Sequence, residues 1–326
     1  MRVFSLNKSV LAKRLSEKLV RPDDDNYLEV INFSDGEYCP VFKQSIRHED
    51  VYIIADGHTS NDIMKLLLTI DAAKRSGAGS VSVIMPYLPY SRSDKNDHIR
   101  QSIAAKLLAD VLTIAGINKL MTIDLHNNSI QGFYNVPVIH LLSNRIFLDY
   151  IKDLKLDNLC FVAPDHGATK RTLSMAKNFP DSTFAVIDKK RNKPNEIASM
   201  TLLNSVEGKN VIIVDDLGDT MNTICKGANL VMKNGALSVR AVLTHPVLSR
   251  NFMKENGDSL ETISKSPLKE LIVSDTVVSV YDKLKIYNEI FTNEDKPKIS
   301  IISCDNLLVN SVERLMKNES ISDLNS

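Results

Sequence analysis

Three carboxylates and two hydroxyls crowd one short stretch of this chain: Asp215, Asp216, Asp219, Thr220 and Thr223. They follow Val211-Ile212-Ile213-Val214, a β-branched apolar run of the kind that forms a strand buried on both faces of a parallel sheet. Beyond them Ile224, Ala228, Val231 and Met232 recur at helical spacing, and Gly235 supplies a stop. Adjacent carboxylates repel unless something neutralises or hydrogen-bonds them, and vicinal sugar hydroxyls offer donors to both. Backbone N–H groups and Thr hydroxyls at the head of a helix favour a phosphate, helped by the helix dipole. A sugar phosphate meets both demands at once. The alternative is an acidic turn capped by its own Asp or Thr, which needs no ligand. The coincidence of strand, acids and hydroxyls favours the ligand.

Other stretches carry weaker chemical signals. Asp188-Lys189-Lys190-Arg191-Asn192-Lys193 places four cations beside an apolar strand, either as a solvated face or as a partner for negative charge. The segment from Pro86 to Asp97 has two prolines and dense polar residues, which reads as a long irregular loop of the sort usually kept for function. Phe33-Ser34-Asp35-Gly36-Glu37 reads as a turn between strands; Phe33 can stack on a purine, and Asp35 and Glu37 can accept from amino or hydroxyl groups. His126 stands just beyond a strand at 119–124, a place where a lone His is more often structural than a ligand. Pro164-Asp165-His166-Gly167 repeats the strand–loop–helix logic of the acidic stretch.

The elements that must position these groups occur twice. An apolar strand ends in Asp56, a helix follows through Ile63, Leu67 and Ile70, and Gly77-Ala78-Gly79-Ser80-Val81 opens another strand. The later copy runs from residue 211 to Asp216, through a helix, to Gly235-Ala236-Leu237-Ser238-Val239. Acid and glycine are 21 residues apart in the first copy (56 to 77) and 19 in the second (216 to 235). This is internal duplication of one α/β unit. The first copy has Gly57-His58-Thr59-Ser60 where the second has its acidic loop. Elsewhere, residues 9–20 form an amphipathic helix with Leu11, Leu15 and Leu19 on one stripe and Ser9 as cap; 23–25 is a solvated acidic turn. A helix after residue 102 is capped by Ser102 and ended by Gly116.

Composition excludes several classes. At 326 residues the chain is long enough for two domains, with 43% hydrophobic and 25% charged residues, as in a soluble globular protein. Forty basic and forty acidic side chains cancel, which recommends neither nucleic acid nor an anionic membrane as partner. Four scattered cysteines have no metal or redox spacing and read as reduced thiols of a cytoplasmic protein. No signal peptide and no apolar stretch long enough for a membrane span is expected.

Asp-Asp-x-x-Asp-Thr-x-x-Thr after an apolar strand resembles the phosphoribosyl-diphosphate loop shared by type I phosphoribosyltransferases and ribose-phosphate diphosphokinases. The duplication and the segments quoted above favour the diphosphokinase family, in colinear order over nearly the whole chain. A phosphoribosyltransferase or a non-catalytic regulatory relative stays as the alternative.

That resemblance implies an α/β fold of two duplicated phosphoribosyltransferase-like domains, 1–145 and 146–326, each a mainly parallel sheet flanked by helices. It implies transfer of the β,γ-diphosphoryl group of ATP to the 1-hydroxyl of ribose 5-phosphate. Lys189 and Arg191 would be catalytic; Phe33, Asp35, Gly36, Glu37, Arg92 and Ser93 would bind ATP, the first four across a subunit contact. Arg191, Asp215, Asp216, Asp219, Thr220, Met221, Asn222 and Thr223 would hold ribose 5-phosphate, and His126 and Asp165 would ligate Mg²⁺.

The resemblance further implies a mobile catalytic loop at 189–193, disordered until ATP arrives, and a homo-oligomer, a dimer or a hexamer of dimers. Three departures are visible. Ser93 replaces the usual Gln, weakening that contact. Met221 and Asn222 stand where small residues, often Gly, are usual, so their side chains should crowd the cradle, with Asn222 taking the positive φ. An insertion at 250–258 falls where relatives place subunit contacts and a regulatory site.

Overall fold

The computed structural model describes residues 1–7, 9–19, 28–193, 196–249, 258–290 and 296–325. The acidic run at 23–25 and all but the last residue of the insertion at 250–258 lie outside the described residues. Contacts divide the chain into two compact units: Met1–Ser143 with Thr276–Ser279 and Ser303–Ser326, and Asn144–Asp275 with Val280–Ile302.

The first unit opens on β1 (Arg2–Ser5) and α1 (Val10–Leu19), capped by Ser9, whose hydroxyl accepts from Ala12 N at 2.9 Å. An antiparallel hairpin of β2 (Leu28–Asn32) and β3 (Tyr38–Phe42) follows. Then come β4 (Asp50–Ile54), α2 (Ser60–Arg75), β5 (Ser80–Ile84), α3 (Ala104–Ala115), β6 (Lys119–Ile123) and β7 (Val138–Leu141). The strands lie in the order β1-β4-β5-β6-β7, all parallel. Both faces of this sheet are covered, so Val51, Ile53, Val81, Val83 and Leu120 are fully buried, which is why its strands read as continuous apolar runs. Gly116, at φ 106°, ends α3 as expected. Its cap is not Ser102: Ser93 Oγ accepts from Ala104 N at 3.3 Å and donates to Ser102 O at 3.2 Å. The loop folds back over the helix start and brings a distant hydroxyl to it.

In the second unit α4 (Asn144–Asp153) leads to β8 (Leu159–Ala163), α5 (Thr169–Ala176), β9 (Thr183–Lys193), β10 (Glu196–Leu203) and β11 (Asn210–Gly218). After these come α6 (Asn222–Lys233), β12 (Ser238–Pro246), α7 (Ser259–Ser264), β13 (Glu270–Ser274), α8 (Tyr281–Ile290) and β14 (Lys298–Ile302). The sheet order is β10-β9-β8-β11-β12-β13-β14, parallel throughout except where β10 runs against β9. The last helix, α9 (Asp305–Met316), belongs to the first unit, where it packs with α1. Lys18 Nζ reaches Asp305 Oδ2 at 3.0 Å and Asn306 Oδ1 at 2.8 Å. A division of the chain at 145/146 places this helix in the second domain; its contacts assign it to the first.

The duplication extends to individual backbone hydrogen bonds. His48 N donates to Gly77 O at 2.8 Å, and Gly208 N donates to Gly235 O at 2.9 Å. Gly79 N to Glu49 O and Leu237 N to Lys209 O are both 2.8 Å. His48 and Gly208 share a left-handed conformation (φ 61° and 68°), as do Gly77 and Gly235 (79° and 84°). The same turns enter the same strands in both units. Among the described residues, no helix is long and apolar enough to cross a membrane.

Candidate active site

Strand β11 runs further than its apolar core foretells. It continues through Asp215 and Asp216 to Gly218, because β12 keeps pairing with it as far as Gly218 opposite Pro246. The acids therefore stand on strand backbone, and the turn proper shrinks to Asp219, Thr220 and Met221. Asp215 Oδ1 accepts from Asp216 N at 2.9 Å. Arg171, on α5, brings its guanidinium to 3.8 Å from Asp215 Oδ1 and 3.4 Å from Asp216 Oδ1. Burial, then the neighbouring Asp216, holds the Asp215 carboxyl well above the ordinary carboxylate range, with Arg171 opposing. The site thus keeps two acids together against their repulsion, with one cation behind them.

The rest of the turn is tied down by side chains. Asp219 accepts from the Ser249 hydroxyl, and Thr220 Oγ1 accepts from Asn222 Nδ2 at 3.2 Å. The positive φ falls on Met221 (φ 61°, ψ 0°), not on Asn222, which already begins α6. Nor does Met221 crowd the turn from above, since its side chain is only 2% exposed. α6 receives no capping bond from the side chain of Met221, its N-cap residue. Its N-terminus, with Thr220, Asn222 and Thr223 half-buried beside it, is left for other acceptors.

Lys189 and Asp165 meet within the same unit. Lys189 Nζ donates to Asp165 Oδ2 at 3.0 Å; the lysine side chain is 5% exposed and the aspartate 40%. The other carboxylate oxygen of Asp165 accepts from Ala168 N at 3.2 Å in the turn before α5. His166 Nε2 lies 3.1 Å from Asp188 Oδ1. The expectation of a loop at 189–193 is corrected. These residues extend β9, which pairs antiparallel with β10, Lys189 opposite Met200 and Arg191 opposite Ile197. Mutual pairing satisfies the backbone groups that an open loop would leave to water. For Arg191 the structure describes the backbone alone.

The remaining predicted residues lie in the first unit. Phe33, Asp35, Gly36 and Glu37 form the tip of the β2–β3 hairpin, closed by Phe33 N to Glu37 O at 2.9 Å and by Glu37 N to Asp35 Oδ1 at 3.1 Å. Gly36 takes φ 92°, and Phe33 is 49% exposed. Arg92 is exposed, whereas the Ser93 hydroxyl is engaged at the head of α3. His126 is exposed beyond β6. Asn127 Nδ2 donates to Asp94 Oδ2 at 2.7 Å, which ties the Arg92 loop to the His126 loop.

Sequence reasoning assigned no role to Arg171 or Ser249. The signal for Arg171 was present in the Lys170-Arg171 pair one strand–turn–helix unit away from the acids. Among the described residues no cluster of three or more His, Cys, Asp or Glu could hold a metal ion. A cation held by one or two protein groups would be a hard, water-retaining divalent ion and not one in a tetrahedral cage. Asp165 fits that role: in this structure its outward oxygen already faces a positive charge, the Lys189 ammonium.

Known proteins resemble the chain along its length. The description "N-terminal domain of ribose phosphate pyrophosphokinase" matches residues 1–116, and "phosphoribosyl synthetase-associated domain" matches residues 164–326. A ribose-phosphate pyrophosphokinase of Porphyromonas gingivalis is 38% identical over 325 residues, covering 99% of this chain and 96% of the relative. One of Oceanobacillus iheyensis is 36% identical over 328 residues, with the same coverage of 99% and 96%. The crystal structure of phosphoribosylpyrophosphate synthetase from Mycobacterium smegmatis superposes with a TM-score of 0.84 at 28% identity, covering 97% of this chain and 99% of that one.

Proposed function

The chain belongs to the ribose-phosphate pyrophosphokinase (diphosphokinase) family, and from that premise we propose how its own residues carry the reaction. The protein is an ATP-dependent diphosphotransferase: ATP and ribose 5-phosphate give phosphoribosyl diphosphate and AMP. The observation that carries the reading is the acid pair Asp215–Asp216, backed by Arg171, beside a helix N-terminus whose N-cap residue, Met221, makes no side-chain cap.

Asp215 and Asp216 accept from the ribose hydroxyls, while Asp219, Thr220, Met221, Asn222 and Thr223 surround the 5-phosphate with backbone N–H groups and hydroxyls. The anomeric oxygen then attacks the β-phosphorus of ATP. The O1–Pβ bond forms, the bond from Pβ to the α-phosphate oxygen breaks, and AMP leaves. Negative charge spreads over the transferring group, and Lys189 with Arg191 meets it. For Lys189 this means leaving Asp165, to which its ammonium donates at 3.0 Å. Asp165 and His126 would each offer a ligand to Mg²⁺, which would supply neutralisation of phosphate charge.

The hairpin tip, with Phe33, Asp35, Gly36 and Glu37, and Arg92 take the adenosine and phosphates of ATP. Ser93 lies in that loop, but its hydroxyl serves the head of α3. The exposed Phe33 ring supports completion of a neighbouring subunit's site, in a homo-oligomer built from dimers, and we place the protein in the cytoplasm. A coupled assay for AMP formation from ATP and ribose 5-phosphate tests the reaction. AMP release strictly dependent on ribose 5-phosphate is expected. Activity only with phosphoribosyl diphosphate and a base would indicate a phosphoribosyltransferase, and none with either pair a regulatory relative. Mixing Glu37→Ala with Lys189→Ala chains tests the shared site: partial activity should return in mixed oligomers and not in either variant alone.

A further inference from the structure

Met221 is the bulkiest residue of the sugar-phosphate turn, yet it is almost wholly buried. Its left-handed backbone is a conformation that a side chain makes costly, so something must hold it there. The nearest candidate is Gly218, three residues back at the end of β11. A Cβ added to Gly218 would stand 2.7 Å from Met221 Sδ and 2.4 Å from Leu243 Cδ1, both closer than real contacts allow. Gly218 is not at positive φ. It is in register with Pro246, and its carbonyl accepts from Leu248 N at 2.9 Å. Any residue could adopt that backbone, so glycine is needed for space. The space is filled by the Met221 thioether and the Leu243 side chain.

We propose that Gly218 and Met221 form one volume-matched pair that keeps the sugar-phosphate turn open. The gap at Gly218 admits the Met221 side chain beneath the turn, against Leu243. This removes it from the face where phosphate approaches and fixes the left-handed step that starts α6. A flexible thioether suits an irregular gap of this kind. Met221 is thus a positioning residue for ribose 5-phosphate, acting through the backbone of residues 221–223. The inference rests on the ribose 5-phosphate reading of this turn.

The test is a set of substitutions read by calorimetric binding of ribose 5-phosphate, by the Michaelis constants for both substrates and by Tm. Gly218→Ala should weaken ribose 5-phosphate binding by about 10-fold or more, since displacement of a positioned group by an ångström has effects of that order. The Michaelis constant for ATP should stay within about twofold, because the ATP groups lie elsewhere. Overpacking should also lower Tm by about 3–6 °C.

Adding Met221→Ala to Gly218→Ala should restore binding, whereas adding Leu243→Ala, which removes the nearer clash, should recover Tm but not binding. Wild-type affinity in Gly218→Ala, or rescue of binding by Leu243→Ala and not by Met221→Ala, overturns the pairing. If Gly218→Ala alone does not fold, Met221→Ala is compared with the double variant. Equal binding by those two supports the pair; a double variant that is unfolded or does not bind sinks it. Failure of the wild-type protein to bind ribose 5-phosphate counts against the functional reading, and the Tm comparison still decides the packing.

Discussion

The two copies of the strand–turn–helix unit solve one electrostatic problem in opposite ways. In the first, Asp56 is buried at the end of β4 and burial raises its carboxyl above the ordinary range, but Asn7 Nδ2 donates to it at 3.1 Å and the Ser9 hydroxyl donates as well. The helix behind it is closed by a capping box: Thr59 accepts from Asp62 N at 3.2 Å, and Asp62 Oδ2 accepts from Thr59 N at 3.0 Å. In the second copy the equivalent acid, Asp216, has a second acid beside it, and the N-cap residue, Met221, makes no side-chain cap. The framework bonds of the two copies match to within about 0.1 Å, so the difference lies in who supplies the partners. The first turn supplies its own. The second holds charge and open N–H groups for a ligand, the local inconsistency expected at a functional site.

The largest effect should come from Lys189. Lys189→Ala is expected to lower turnover by about 100-fold or more, with far smaller changes in the Michaelis constants, because the charge it meets develops in the transition state. Steady-state kinetics checks this. A loss of comparable size from Thr59→Ala would break the contrast between the copies.

Next is Arg171→Met, which leaves two carboxylates without their cation. Urea unfolding of the ligand-free protein should show a loss of about 2–3 kcal/mol near neutral pH. That is below the full figure for a buried pair because Arg171 remains 19% exposed. The loss should shrink as pH falls through the raised range in which Asp215 takes up a proton.

Asp215 gives a sign that can be read directly. Its folded-state pKa lies above its unfolded value through burial and the adjacent Asp216. Its stabilisation is therefore complete below the ordinary carboxylate range and is lost as pH rises through the raised value. In the ligand-free protein Asp215→Asn should remove this slope and raise Tm at neutral pH by about 2–4 °C while weakening sugar binding. A wild-type Tm that does not fall across that window would sharpen the comparison the other way, making Arg171 sufficient.

The capping box supplies the mirror image. Thr59→Ala should cost about 1 kcal/mol of stability and leave ribose 5-phosphate binding unchanged. Thr220→Ala should weaken binding and leave Tm nearly unmoved. The smallest effect is expected from Asn222→Gly. Sequence alone suggested that this change would relieve crowding and tighten binding. With the left-handed step on Met221 and Asn222 already helical, the change should instead cost about 0.5–1 kcal/mol. The Michaelis constant for ribose 5-phosphate should not fall.

Strands and repeats were legible because buried parallel strands declare themselves as apolar runs, and because Gly77 and Gly235 mark the same left-handed turn. The acids were legible because nothing in a plain turn calls for so many together. Three features were not. The extension of β11 through Asp215 and Asp216 depends on how far β12 continues beside it, which no local pattern encodes. The cap of α3 comes from Ser93, a residue outside the helix's own start, so proximity in sequence pointed to Ser102 instead. The resemblance implied a loop for the cations at 189–193, whereas pairing with β10 makes them strand. Met221 fell between these cases: its bulk was visible, but its direction depended on the vacancy at Gly218.

The return of α9 to the first unit constrains the order of events during synthesis. Helix α1 emerges from the ribosome early, but its partner α9, with Asp305 and Asn306 to receive Lys18, is made only after the whole second unit. The second unit can close on strands and helices already translated, while the first must wait with an apolar face of α1 unsatisfied. The second unit can therefore be completed before the first. The nascent N-terminal half depends on protection from aggregation for as long as the remaining residues take to appear.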